Sequence, residues 1–273
     1  MGQQMSPEQE KQLREMLKMP VVYSVPGMEN AQVTEGLVYR TDGDAKLQMN
    51  VYRPAGLARA ARRPAVFFLH GGVSLAGPPG LPKPTEWGVY QSYGRLMAAS
   101  GLIGVTFNQR IGMSAEKGFG DVQTAMDYVR AHAAELQVDS NRFCLAAYSA
   151  GGPLLAIAIR DPQPAVRCLV GFYAVMDIAP PVTGERAQYS PIEQLKLNAA
   201  KLPPILIARA GADSPGLNAT IDRFVAEALS RDVPVELHNV KGAPHAFDVQ
   251  TPSAEVLLII ERTIAFMKQN LER

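Results

Sequence analysis

An excess of charge of either sign is missing from this chain. Its 273 residues carry 27 basic and 26 acidic side chains, a formal net charge of +1, with no basic stripe and no acidic tail. Nucleic acid selects for concentrated Lys and Arg, so it is excluded as the expected partner. Cysteine is scarce as well. Two residues, Cys144 and Cys168, cannot staple a small secreted scaffold. Both lie in apolar strand-like runs and read as reduced core side chains, which suits the cytoplasm. No apolar run approaches the ~20 residues of a membrane-crossing helix. The N-terminus is polar and charged, so it does not read as a secretory signal. It fits the loose myristoylation pattern M-G-x-x-x-S at Gly2, with no second membrane signal behind it, and the match is read as incidental. There is no HExxH, no CxxC and no clustered set of carboxylates, so no metal is expected. No GxGxxG follows a strand, so no dinucleotide is expected either.

What the chain has is apolar residues, 47 % of the total, enough to bury a large core. Residues 7–18 form an amphipathic helix with Leu13, Met16 and Leu17 on one face. Residues 33–39 and 47–52 read as strands around a turn at Asp42-Gly43-Asp44. From residue 65 onward buried strands (65–70, 102–108, 143–147, 166–174, 204–210, 233–240) alternate with helices (86–100, 120–136, 154–159, 221–230, 254–269). That alternation predicts an α/β fold: a mostly parallel eight-stranded sheet with helices on both faces. Residues 178–203 are proline-rich without a clear period and read as an insertion or small cap. The division expected is an N-terminal helix and extension over 1–32 and a main domain over 33–273.

One stretch carries chemistry on its face. Phe143 to Ala147 is a continuous apolar strand, Leu154 to Ile159 is helical, and the chain turns between them through Tyr148-Ser149-Ala150-Gly151-Gly152. A strand that becomes a helix this abruptly presents one side chain at the tip of the turn, here Ser149. The pattern is a nucleophile elbow of the G-x-S-x-G kind with Ala147 as its first residue. Pro153 falls in the first turn of the helix, where its missing N–H has no partner to lose.

In an open parallel sheet, function collects at the carboxyl ends of the strands. His70-Gly71-Gly72-Val73 follows strand 65–70, Asp213 follows 204–210, and His245 follows 233–240. Asp177 follows 166–174 and is the alternative acid. A serine hydroxyl is a poor nucleophile at neutral pH and needs a base to take its proton. Neutral imidazole suits that task, and a carboxylate can fix its tautomer and stabilise the imidazolium that forms. Preset backbone N–H groups stabilise the tetrahedral oxyanion. His70 is read as a brace of the glycine loop, and Asp248 as the approach to the last helix.

HGG at 70–72, AYSAG at 147–151, the Asp213 loop and PHAFD at 244–248 together resemble an α/β-hydrolase of the esterase/lipase type, close to small carboxylesterases and dienelactone-hydrolase-like members. The resemblance covers roughly residues 33–270. It implies Ser149 as nucleophile, His245 as base, Asp213 as acid, and the N–H groups of Gly72, Val73 and Ala150 as oxyanion donors. Val73 stands where lipase-type members often carry a third glycine. Leu75, Trp87, Tyr90, Met113, Met176 and Ile178 are expected to overhang Ser149 as an apolar pocket. The expected activity is cofactor-free hydrolysis of small to medium carboxylic esters through an acyl-enzyme. Two other activities compete: an amidase or peptidase with the same triad, and a ligand-binding protein that kept the fold without catalysis.

Overall fold

Eight strands form one sheet in the order β1-β2-β4-β3-β5-β6-β7-β8. The computed structural model describes residues 6–72, 80–111, 115–179 and 182–272. Gly2, Val73, Leu75 and Met113 lie outside them. The strands are β1 (Gln32–Asp42), β2 (Ala45–Arg53), β3 (Arg63–Leu69), β4 (Ile103–Phe107), β5 (Val138–Tyr148), β6 (Val166–Phe172), β7 (Ile205–Ala210) and β8 (Val235–Val240). β1 pairs antiparallel with β2, and β2 antiparallel with β4. Every later pairing, from β4·β3 to β7·β8, is parallel. The carboxyl ends of β3, β5, β6, β7 and β8 therefore share one edge.

The helices are α1 (Pro7–Lys18), α2 (Gly88–Ala99), α3 (Ala115–Ala131), α4 (Ala156–Arg160), α5 (Pro191–Asn198), α6 (Pro215–Ser230), α7 (Phe247–Gln250) and α8 (Ala254–Leu271). Strand side chains alternate between faces, and that builds two cores. On β5, Phe143, Leu145 and Ala147 face Val122 and Met126 of α3 and Phe224 of α6. Cys144, Ala146 and Tyr148 face Tyr93 and Leu96 of α2, Ile260 of α8 and Leu17 of α1. Among the described helices, none is long and apolar enough to cross a membrane.

Three expectations need correction. Cys144 and Cys168 are not free thiols but a disulfide. The register explains why. Phe143 pairs with Val166, but a one-residue shift then places Cys144 directly opposite Cys168, with Cα atoms 4.8 Å apart. The helix expected at 154–159 is preceded by a 3-10 segment over Ser149–Leu155, with Pro153 inside it, and α-helix begins only at Ala156. The strand expected to reach residue 174 stops at Phe172, because Tyr173 turns out of the sheet with φ 38°. Within 182–203, Ile192 and Leu195 of α5 join the core shared with Ile157 and Ile221.

Candidate active site

β5 ends at Tyr148, and Ser149 takes the turn with φ 50°. A non-glycine residue there carries strain of order 1–3 kcal/mol and persists only where its surroundings fix it. The Ser149 carbonyl accepts the Val175 N–H at 2.9 Å. Gly151 is needed for close approach: a Cβ on it would lie 2.5 Å from the Leu69 carbonyl oxygen. Gly71 lies on the other side of the serine, where a Cβ would fall 2.7 Å from Ser149 Cβ and 3.2 Å from the Ala150 nitrogen. The Gly71 N–H donates to the Tyr90 hydroxyl at 3.0 Å.

Two further loops converge on the serine. His245 Nε2 lies 2.8 Å from Ser149 Oγ, and its Nδ1 lies 2.6 Å from Asp213 Oδ2. The loops after β7 and β8 are tied together, since the Ala212 N–H donates to Ala243 O and the Gly211 N–H to Val240 O, both at 2.9 Å. Asp213 Oδ1 accepts the Ser214 N–H at 2.7 Å. The Asp213 side chain is 6 % exposed and that of His245 41 %, so the acid is sheltered while the imidazole opens onto the cavity. Asp177 is engaged elsewhere: Oδ1 accepts from Ser190 Oγ and the Ile178 N–H, and Oδ2 faces Arg223.

The Tyr173 ring packs 4.7 Å from the His245 ring. Its hydroxyl donates to Asp248 Oδ1 at 2.7 Å, and Tyr93 donates to Oδ2 at 2.8 Å. Asp248 is wholly buried. Burial pushes its carboxyl above the usual range, against the pull of the two hydroxyls and of His245. The expectation that Asp248 merely leads into the last helix misses this anchorage. His70 is also buried, with its ring nitrogens 3.0 and 2.9 Å from the carbonyl oxygens of Gly71 and Gln109. Burial pulls its pKa down to about 4, outweighing those two contacts.

A cavity of about 200 Å³ opens beside Ser149 and His245. Of the residues expected to line it, Trp87 and Tyr90 do. Met176 and Ile178 do not. After Tyr173 the chain crosses behind the elbow, and the Met176 N–H donates to Thr220 of α6 at 3.1 Å, so Met176 is buried in the core of the opposite face. Tyr148, Tyr173 and Val249 line the cavity, and so do Met16 and Leu17 of α1. The apolar stripe of residues 7–18 was the only sequence signal for that last pair. No residue of 182–203 lines it.

The fold is similar to that of a thermophilic esterase, Est2, from the Planctomycetes species Thermogutta terrifontis. The native enzyme aligns with TM-score 0.71 and 23 % identity over 89 % of this chain and 94 % of that one. The same esterase phosphorylated by paraoxon aligns with TM-score 0.69 and 24 % identity over 89 % and 94 %. Its butyrate-bound form aligns with TM-score 0.67 and 22 % identity over 89 % and 96 %. At such identities the likeness speaks for the fold alone. No curated protein matches the sequence at a significant level. The BD-FAE family, in contrast, matches residues 49–195, a span that runs from β2 through the glycine loop and the serine elbow to α5. More than half of the chain lies within that match, and the chain therefore belongs to the BD-FAE family of esterase-type α/β-hydrolases.

Proposed function

We propose that this protein is a serine carboxylic-ester hydrolase acting through an acyl-enzyme on esters of small to medium size. The observation that carries the reading is the unbroken hydrogen-bonded line from Ser149 Oγ through His245 to Asp213, at 2.8 and 2.6 Å. In this reading His245 Nε2 takes the hydroxyl proton as Ser149 Oγ attacks the ester carbonyl carbon. The carbonyl π electrons move onto oxygen, and that oxyanion is received by the N–H groups of Gly72 and Ala150. Asp213 holds the ring by Nδ1–H and stabilises the imidazolium. Collapse of the tetrahedral adduct expels the alcohol, which takes the proton from His245. Water then repeats the sequence on the acyl-enzyme, releases the acid and returns the proton to Ser149.

The cavity volume of about 200 Å³ supports a modest substrate. The hydrolase domain is proposed to span 33–273, with 1–32 as its extension. Reduced thiols were one support for a cytoplasmic location, and the Cys144–Cys168 bond removes that one. Ser149→Ala is expected to lower kcat/KM for p-nitrophenyl butyrate by ~10⁴-fold or more while leaving the circular dichroism unchanged. A fluorophosphonate is expected to add its mass to the Ser149 peptide alone. Retained turnover in the alanine variant would refute the assignment.

A further inference from the structure

We propose that α1 is the wall of the substrate pocket, and that Met16 sets how long a substrate chain the pocket accepts. This inference rests on the ester-hydrolase reading above.

Met16 and Leu17 border the same cavity as Ser149, His245 and Trp87. Leu17 is buried, whereas Met16 remains 44 % exposed. A large apolar side chain that open to water at a cavity rim is the part of the wall a substrate chain would cover. α1 is fixed rather than draped over the site. Its N-terminus carries a capping box, in which the Gln9 N–H donates to Ser6 Oγ and the Ser6 N–H donates to the Gln9 side-chain oxygen. Arg14 donates to the Gly80 carbonyl at 2.6 Å. Just beyond the helix, the Val21 N–H donates to Ser92 Oγ of α2 and the Val22 N–H to the Asp248 carbonyl of α7, both at 2.8 Å. Asp248 follows His245 by three positions in sequence. The chain leaving α1 is thus pinned to the short helix that follows His245, so the wall keeps a set distance from the reacting atoms. Methionine fills irregular gaps without a strong shape of its own, so replacing it changes the room available rather than the frame.

The test uses the full-length protein and two ester series. In one, the acyl chain of p-nitrophenyl esters grows from acetate to octanoate. In the other, the alcohol of alkyl acetates grows over the same range. Met16→Ala is expected to raise kcat/KM for the longest member relative to the four-carbon member by ~10-fold or more in one series, the scale of one to a few methylenes in an apolar pocket. Met16→Trp is expected to lower the same ratio. The series that responds tells whether the wall faces the acyl or the alcohol side. If both variants stay folded and move the ratio in neither series, or depress all esters equally, α1 is a structural brace and the inference fails, while the hydrolase reading stands. If the wild type shows no Ser149-dependent turnover of any ester, the hydrolase reading itself fails and takes this inference with it.

Discussion

Gly71 is where a single methyl group is expected to do most harm. Its Cβ would stand 2.5 Å from the Tyr148 carbonyl oxygen and 2.7 Å from Ser149 Cβ, and both belong to a turn already held at positive φ. Backbone cannot yield there without moving the serine. Gly71→Ala is expected to cut kcat/KM by ~100-fold, as a displacement of about 1 Å at reacting groups does, and to cost about 1–3 kcal/mol through overpacking. Ester kinetics and a urea titration check both effects. Ser149, Asp213 and His245 were legible because each lies in the loop after the carboxyl end of a parallel strand, so topology alone brings them to one edge. Asp248 was not. Its partners Tyr93 and Tyr173 are 155 and 75 positions away, and nothing local distinguishes a carboxylate held by distant hydroxyls from one at a helix start. Met16 was legible only as part of an apolar helix face, since such a stripe looks alike whether it covers core or lines a cavity.

At the scale of elements, β3 and β7 were read best, because Pro64 and Gly71, and Pro203 and Gly211, bound their apolar runs. The segment after Ser149 was read less well. Gly151, Gly152 and Pro153 admit a tighter 3-10 path, and periodicity cannot separate that from the first turn of an α-helix. Pairing register was not legible at all. Cys144 and Cys168 meet through a shift between neighbouring pairs of β5 and β6, whereas an unshifted ladder would leave them out of line. The bond closes a loop with sequence separation 24, and for a loop of that order the chain-entropy argument gives about 3 kcal/mol. Unfolding with reductant, or of a Cys144→Ala/Cys168→Ala double variant, is expected to show a loss of that size. Thiol titration of the unreduced, unfolded chain is expected to find no free thiol. Two titrated thiols would restore the reading of reduced core cysteines.

At the scale of the whole molecule, two of the described buried ionisable groups, His70 and Asp248, have opposing effects on stability as pH changes. For His70, the folded pKa of about 4 lies below the ~6.5 of an unfolded histidine. Between those values the unfolded chain binds the proton that the fold refuses, so stability falls as pH drops through the window, by up to about 3 kcal/mol. Asp248 runs the other way. Its folded pKa is raised from 3.8 by burial, so the fold holds its proton longer than the unfolded chain does. Its contribution is full below that ordinary value and is lost as pH rises through the elevated one. Other carboxylates also titrate in this range, so each group is isolated by its difference from a neutral variant. The free energy of His70→Gln minus that of the wild type is expected to grow as pH falls from ~6.5 to ~4. The corresponding difference for Asp248→Asn is expected to grow as pH rises from ~4. Urea midpoints taken at half-unit steps of pH, with unchanged m-values, read both slopes. If the Asp248→Asn difference shrinks instead with rising pH, the hydroxyls of Tyr93 and Tyr173 together with His245 outweigh burial, and Asp248 stands ionised behind the imidazole.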